Sequence, residues 1–175
     1  RAAAPAGLMR TGVRPVSSER RLMANAEILP VGLSEIPLIV ELYNEVFRPP
    51  HDAAFFERRF SSRHNPLMLI AQLDKRPVGF AVGFEIKPST FYCWLIGVLP
   101  DFRRGGVASQ LMEAMSAWAR DNDYQIIRFE CYNHHRPMLQ LAITQNYDIV
   151  GIRHDADASA NLIVLEQTVG EPDEE

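Results

Sequence analysis

One segment of about forty residues constrains the fold of this chain more than any other. It starts with Phe91–Leu99, a nearly unbroken apolar run that is stopped by Pro100. Because this run lacks the alternation of a half-exposed strand, it predicts a central strand covered on both faces by helices. An amphipathic helix from Val107 to about Asn122 and another strand, Gln125–Tyr132, follow. Strand, helix and strand in this order predict a right-handed parallel crossover.

The segments on either side of this crossover also alternate between strand and helix patterns. Before it, we expect a strand over Asn25–Val31 and two helices, the first capped by Ser34 and the second by Asp52. The remaining expected elements are a hairpin of Leu67–Leu73 and Val78–Ile86, a helix beginning near Pro137, and closing strands Tyr147–Ile152 and Leu162–Gln167. This order predicts a mixed α/β fold.

Composition limits the number of domains and the classes of partner. A chain of 175 residues with 47% hydrophobic residues can form one domain, which we expect over residues 25–169. Cys93 and Cys131 are too few for a disulfide scaffold and lack zinc-site spacing, so we expect core cysteines and no metal. The absence of an apolar run of ~20 residues predicts a soluble, cytoplasmic protein without a membrane partner. A net charge of −4 argues against nucleic acid.

The two ends of the chain differ in charge from its body. Residues 1–24 carry five arginines and one glutamate, and 170–175 form an acidic tail with four carboxylates. The first segment has no apolar core of a secretory signal, so it reads either as a disordered extension upstream of a start at Met23 or as an organelle transit peptide. We prefer the disordered extension.

The turn between the central strand and the crossover helix has the composition of a phosphate site. Arg103, Arg104, Gly105 and Gly106 stand directly before the helix that begins at Val107. At a helix start, unpaired backbone N–H groups and the positive end of the helix dipole attract anions. Glycine lets the backbone approach the anion closely, and arginine can fork onto phosphate oxygens. A solvated basic turn is the alternative.

Together with its surroundings, this turn resembles the GNAT superfamily of acyl-CoA-dependent N-acyltransferases. Their Arg/Gln-x-x-Gly-x-Gly/Ala signature falls on Arg103, Gly106 and Ala108, and the likeness extends over about residues 25–168. The resemblance implies a mostly antiparallel central sheet of six to seven strands, with a splayed parallel pair after the crossover helix and about four flanking helices. It also implies acetyl-CoA as co-substrate.

The same resemblance assigns a place to each part of the co-substrate. The pyrophosphate would lie on the amides of residues 104–108, and the pantetheine arm along the strand that ends at Val98. Strand amides near Ile96 and Val98 would bind the thioester carbonyl and stabilise the developing oxyanion. The implied co-substrate residues are Ile96, Val98, Arg103, Arg104, Gly105, Gly106, Val107, Ala108 and Asn133.

An attacking amine must lose a proton, which calls for a general base or a water relay. Glu85, near the end of the third strand, and Glu130, on the strand after the crossover helix, are the first candidates. Each could equally be a surface carboxylate paired with arginine. His134 and His135 are further candidates, since histidine titrates near neutral pH.

The chain departs from the family pattern at the residue that protonates the leaving thiolate. Members commonly carry a tyrosine there, but alignment on Asn146 and Tyr147 puts Ala142 at that place, and alignment on Asn133 puts Gln140 there. Tyr132 or Tyr147 could serve instead, solvent could protonate the thiolate, or catalysis could be lost.

Three functions therefore follow from the sequence. The first is an N-acetyltransferase acting on a primary amine of a small molecule, a protein N-terminus or a lysine. The second is a non-catalytic acyl-CoA-binding or regulatory module, and the third is an unrelated α/β enzyme that prefers free nucleotides. The resemblance implies an acceptor cleft at Tyr43–Phe56 and the closing strands, and a homodimer as one expected assembly.

Overall fold

A computed structural model describes residues 25–170 of the chain. Its seven strands form one sheet in the order β1-β2-β3-β4-β5-β7-β6. The strands are β1 Glu27–Val31, β2 His64–Leu73, β3 Arg76–Lys87, β4 Thr90–Val98, β5 Ile126–Tyr132, β6 Asp148–Asp155 and β7 Ala160–Thr168. All neighbours are antiparallel except β4 and β5, which are parallel. The predicted mixed sheet and parallel crossover are confirmed.

Four helices pack on the two faces of this sheet. They are α1 Ile36–Val46, α2 Ala53–Phe60, α3 Val107–Asp121 and α4 Arg136–Thr144. On one face, α1 and α2 share a core with β2, β3 and β4, to which Ile39 and Phe56 contribute fully buried side chains. On the other face, α3 and α4 contribute to a second core that includes Leu111 and Ala142. The prediction that β4 is covered on both faces is confirmed.

The starts of α1 and α2 differ in how they satisfy their first amides. Asp52 caps α2 as predicted, since its carboxylate accepts a hydrogen bond from the Phe55 amide at 2.9 Å. The prediction that Ser34 caps α1 is wrong, because Ser34 lies in a short 3-10 turn before the helix and makes no capping bond. Pro37 is in the first turn of α1 and has no N–H, so that turn has one fewer amide to satisfy.

The parallel pairing of β4 with β5 is short. It runs from Thr90 opposite Ile126 to Cys93 opposite Phe129. Beyond Cys93, β4 continues to Val98 and β5 continues to Tyr132, but their residues are no longer partners. The predicted splayed pair is therefore confirmed, and we call the gap beyond Cys93 and Phe129 the strand opening.

Some predictions concern residues outside 25–170. The extension or transit peptide of residues 1–24 lies outside the described residues, and so do residues 171–175 of the acidic tail. These predictions, and that of a cytoplasmic location, stay predictions. In residues 25–170, no helix combines the length and the apolar character needed to span a membrane.

Candidate active site

The glycine- and arginine-rich turn leads directly into the N-terminus of α3. Arg104 has φ +63° and Gly106 has φ +85°, so the chain twice enters the left-handed region before the helix begins. The first helical hydrogen bond joins the Gln110 amide to the Gly106 carbonyl at 3.1 Å. The amides of Val107 and the two residues after it precede this bond and lack an acceptor within the helix. Together with the positive end of the helix dipole, such amides have the geometry that favours an anion.

Side chains hold this turn against the end of β4. Arg103 donates from Nε to the Val98 carbonyl at 3.0 Å. Gln110 donates from Nε2 to the Gly106 carbonyl at 3.2 Å, and its Oε1 accepts from the Ala26 amide at 2.9 Å. Arg103 therefore connects the turn to the strand, whereas the exposed Arg104 has no partner among residues 25–170 and is free to meet an anion.

Close packing of glycine in β3 sets the position of the first turn of α3. A Cβ atom at Gly79 would lie 2.9 Å from the Gly97 carbonyl oxygen and 3.4 Å from side-chain atoms of both Val107 and Leu111. Because Gly79 has no side chain, α3 can begin directly above β3 and β4. The turn of residues 103–106, which we call the phosphate turn after its predicted role, is thereby held next to the free end of β4.

The far half of β4 presents an unpaired edge at the strand opening. Ile96 and Val98 are opposite Ala81 and Gly79 of β3, but have no partner on β5. Backbone groups on this edge are available to a ligand. Asn133 follows the end of β5 and is exposed, and its amide donates to the Asn161 carbonyl of β7 at 2.9 Å. The turn and the open edge are thus contiguous through Arg103.

Glu130 is the first residue of β5 beyond the parallel pairing, so it lies at the strand opening. Its carboxylate is 3.4 Å from the Arg153 guanidinium of β6, and 19% of its side chain is exposed. Tyr92 of β4, opposite Arg128 of β5, lies on the same face. Burial and then the Glu130 charge raise the pKa of Tyr92. Sequence reasoning missed Tyr92, because in an apolar run a tyrosine reads as core.

Tyr132 stands at the end of β5 in a polar and aromatic group. Its hydroxyl donates to the Asp155 carboxylate at 2.8 Å, which raises the pKa of Tyr132 and lowers that of Asp155. The His134 ring stacks on Tyr132 at 5.4 Å, and His135 lies 4.4 Å from His134. Desolvation, then the neighbouring His134, lowers the pKa of His135. The structure brings these three candidates together near Glu130.

Glu85, the other predicted base, lies elsewhere. Its carboxylate accepts from the Tyr124 hydroxyl at 2.8 Å and from the Asn65 side-chain amide at 3.1 Å. Tyr124 follows the C-terminal end of α3, whereas the phosphate turn precedes its N-terminal end. A helix of 15 residues separates these two ends by about 22 Å. The structure therefore does not bring Glu85 to the phosphate turn, and its two hydrogen bonds support a structural role.

Tyr147 is also placed away from the strand opening. It is buried in the core beneath α3, its hydroxyl is 3.4 Å from the Ser116 hydroxyl, and burial raises its pKa. Ser116 in turn donates to Gln167 at 2.8 Å, so the phenol belongs to an interior polar network. Ala142 is fully buried in the same core and Gln140 is exposed on α4, so neither alignment gives a phenol at the family's usual place.

The two cysteines are packed in the core, as predicted. Cys93 and Cys131 are both buried, and desolvation raises the pKa of the first thiol to about 12 and of the second to about 11. Both thiols are therefore protonated near neutral pH. Across residues 25–170, no group of three or more His, Cys, Asp or Glu side chains is arranged to hold a metal ion.

The residues that build this site lie within the segment that matches a known protein family. The model of the acetyltransferase (GNAT) family matches residues 36–143, from the start of α1 into the last turn of α4. This is more than half of the chain, and it includes the phosphate turn and the strand opening. The protein belongs to the GNAT acetyltransferase family. No match is found among curated proteins.

Solved structures of this GNAT fold are similar over nearly their whole length. The ribosomal-protein-S18-alanine N-acetyltransferase of Escherichia coli has a TM-score of 0.73 and 15% identity, with 85% of this chain and 97% of that chain covered. An N-acetyltransferase from Staphylococcus aureus Mu50 has a TM-score of 0.68 and 19% identity, with 83% of this chain and 99% of that chain covered. The protein yncA from Salmonella typhimurium was solved with its cofactor acetyl-CoA. It has a TM-score of 0.70 and 13% identity, with 86% of this chain and 98% of that chain covered. At these identities the likeness concerns the fold.

Proposed function

We propose that this protein transfers the acetyl group of acetyl-CoA to a primary amine by direct attack. The observation that carries the proposal is the continuity of two sites. The left-handed turn at the start of α3 offers free amides to a pyrophosphate, and Arg103 links that turn to the unpaired edge of β4. A phosphate group and an extended thioester arm can therefore occupy one continuous path. Membership of the GNAT family supports the same reading.

In this proposal, the residues of the path divide the binding of acetyl-CoA between them. The amides of residues 104–108 and the free Arg104 guanidinium meet the pyrophosphate, since helix N-termini and arginine both favour phosphate. The open edge of β4 near Ile96 and Val98 offers backbone donors to the thioester carbonyl, where negative charge develops during attack. Asn133 lies at the end of the adjoining strand and completes the set.

The proposed transfer forms one bond and breaks one. The amine nitrogen bonds to the acetyl carbonyl carbon, the carbon–sulfur bond breaks, and CoA departs as a thiolate. Glu130 takes the proton from the amine, directly or through a water molecule, and Arg153 positions its carboxylate. Tyr132 and solvent are the sources of the proton that the thiolate gains.

The buried Ala142 gives a second candidate function a specific basis, because the usual phenol is missing. A non-catalytic acyl-CoA-binding module would keep the turn and the open strand edge but release no thiol. Incubation with acetyl-CoA and a panel of amines, with free thiol measured against time, separates the two functions. Tight acetyl-CoA binding without thiol release above background would favour the module.

The role of Glu130 can be tested against a matched carboxylate. We expect Glu130→Gln to lower kcat by about 10²- to 10⁴-fold, the usual contribution of a general base. Glu85→Gln serves as the control, since Glu85 lies at the other end of α3, and its kcat should be unchanged. Equal kcat for the two variants would indicate that water alone accepts the proton.

The chemical class of the acceptor extends this proposal. A primary amine of a small molecule, a protein N-terminus or a lysine side chain can each reach a strand opening that lies at the surface. The E. coli relative is named for an alanine of ribosomal protein S18, which supports a protein N-terminus as one class to include in the amine panel.

We also propose that the protein pairs with a second copy through β6, the outer strand of the sheet. Ile149, Val150 and Ile152 are 55%, 52% and 67% exposed there, which is unusual for an edge strand whose outer side pairs with no other strand of residues 25–170. A strand of this kind is suited to pairing with another strand.

The sequence of β6 matches itself in an antiparallel register. Placing Asp148 opposite Arg153 of the second copy also puts Ile149 opposite Ile152. Opposite charges then face each other, and so do apolar side chains. A bulge at Val150 makes this register possible, because it sets Ile149 and Ile152 on one face of the sheet. Opposite charges and apolar pairs directly across a strand pair are stabilising.

A further inference from the structure

Arg59 of α2 carries a charge that no acidic group of the described chain neutralises. Its guanidinium carbon lies 4.9 Å from the Trp94 ring centroid and 5.7 Å from that of Phe84. Within residues 25–170 it makes no hydrogen bond or ion pair, and its Nε is buried without a partner. Since Nε is its only nitrogen closed to solvent, the terminal nitrogens remain reachable. A guanidinium is always charged and offers five donors, so this arrangement is incomplete without an acceptor.

The position of Trp94 relates Arg59 to the proposed site of transfer. Trp94 is the first residue of β4 beyond the parallel pairing, and Glu130 is the first residue of β5 beyond it. Arg59, stacked on Trp94, therefore lies beside the strand opening. The charges of Arg59, Glu130 and Arg153 all act on Tyr92, which agrees with one shared electrostatic neighbourhood.

Positive charge is in excess in this neighbourhood. Arg63 lies 4.7 Å from the Phe84 ring, next to Arg59, and Arg153 approaches from β6. Against these three guanidinium groups stand two carboxylates, Glu130, which is paired with Arg153, and Asp155, which accepts from Tyr132. The nearby Glu166 is paired with Arg128. This excess stands out in a chain whose net charge is −4. An acceptor with an amine alone would leave the guanidinium groups of Arg59 and Arg63 without a carboxylate partner among residues 25–170.

We propose that the acceptor is an amino carboxylate, with its carboxylate bound by Arg59 and its amine facing Glu130. This rests on the function proposed above and names its acceptor class. Stacking on Trp94 fixes the plane of the guanidinium, so its terminal nitrogens present a preformed fork to a carboxylate. The aromatic rings of Phe55 and Trp94, 5.9 Å apart, supply an apolar wall for the carbon chain between the two charges.

A series of ω-amino carboxylates, from glycine to 6-aminohexanoate, with their matching carboxamides, tests this proposal. For the wild-type protein we expect kcat/KM to favour the carboxylate over its carboxamide by about 10- to 100-fold at the best chain length, the range of a charge-assisted hydrogen bond. Arg59→Gln should bring that ratio close to one. Arg58→Gln is the matched control, since Arg58 is an exposed neighbour on the same helix, and it should leave the ratio unchanged.

Calorimetric titration of the same compounds into the CoA-saturated protein separates this proposal from the proposed function. Carboxylate-selective binding that is lost in Arg59→Gln supports the acceptor class even if no thiol is released. Turnover of carboxylate and carboxamide at equal rates overturns the acceptor class and leaves the transferase intact. A preference retained in Arg59→Gln, or the absence of selective binding, also overturns it. Unchanged acetyl-CoA affinity in Arg59→Gln and Arg59→Lys shows that the variants are folded.

Discussion

Gly106 combines two requirements that arise from different parts of the site. It is the residue before α3, where the first amides have no acceptor within the helix, and its φ of +85° is in the left-handed region that glycine adopts without strain. Arg104 enters the same region with φ +63°, which turns the chain before the helix. The backbone at these two residues, more than their side chains, shapes the proposed phosphate site.

Substitution at Gly106 should separate charge from backbone strain. We expect Gly106→Glu to lower the affinity for acetyl-CoA by at least about 100-fold, because it places a negative charge at the phosphate position and strains the turn. Gly106→Ala introduces the strain alone and should cost about 1–2 kcal/mol in binding or stability. Calorimetric titration with acetyl-CoA measures both. Equal affinity for wild type and Gly106→Glu would refute the assignment of this turn.

The two buried thiols predict a loss of stability at high pH. Their pKa values in the folded protein, about 12 for Cys93 and about 11 for Cys131, exceed the usual 9.0. Between pH 9 and pH 11 the unfolded chain therefore loses thiol protons that the folded chain keeps, so the free energy of unfolding falls as pH rises. The double variant Cys93→Ala, Cys131→Ala should show a shallower fall in denaturant titrations. An identical slope would contradict the burial of these thiols.

Among the helices, α2 owes part of its stability to the capping hydrogen bond at its N-terminus. Asp52 accepts the Phe55 amide at 2.9 Å, and this bond fixes the helix that carries Arg59 above Trp94. A cap of this kind stabilises a helix by about 1 kcal/mol.

The end of β6 depends on its partner strand. It continues to Asp155, three residues beyond the predicted end at Ile152. Its last residues are polar and mostly exposed, so only pairing with β7 shows that they are strand.

The contrast between the two predicted caps can be measured. We expect Asp52→Ala to lower the free energy of unfolding by about 1 kcal/mol, because the Phe55 amide loses its acceptor. Ser34→Ala, which removes a hydroxyl that makes no capping bond, should change it by less than about 0.5 kcal/mol. Denaturant unfolding followed by circular dichroism determines both values. A larger effect at Ser34 than at Asp52 would contradict the structure.

At the level of the whole molecule, the order of the strands in the sheet decides which side chains come into contact. The strand opening exists because β4 and β5 are parallel neighbours that separate after four pairs, and β7 then continues the sheet on the far side of β5. That arrangement brings Arg153 from β6 to Glu130 and leaves β6 as the outer strand. The proposed transfer site and the proposed self-association surface therefore depend on the same part of the sheet.

Pairing through β6 predicts a specific behaviour of charge variants. Asp148→Arg alone sets arginine against Arg153 of the second copy, and Arg153→Asp alone sets aspartate against Asp148, so each variant should be monomeric. A mixture of the two variants restores both opposite-charge pairs and should form a heterodimer. Sedimentation velocity of each variant and of the mixture measures this. A monomeric wild type, or a mixture that stays monomeric, would refute the surface.

The sequence by itself determined the fold and located the turn before α3, because both are recorded in contiguous residues. The run Phe91–Leu99, the glycines before Val107 and the amphipathic helix specify their local conformations within about thirty positions. The tertiary structure decided the roles of single polar groups. Glu85 and Glu130 look alike along the chain, but the register of β3 and the separation of β4 from β5 put only Glu130 at the opening.

Arg59 shows the same limit most clearly, since it meets Trp94 across 35 positions of sequence. Its missing acidic partner cannot be seen in any local pattern, because it depends on which groups the packed helices and strands leave near one another. Local conformation is set by neighbours in sequence, whereas charge balance in a site is set by neighbours in space.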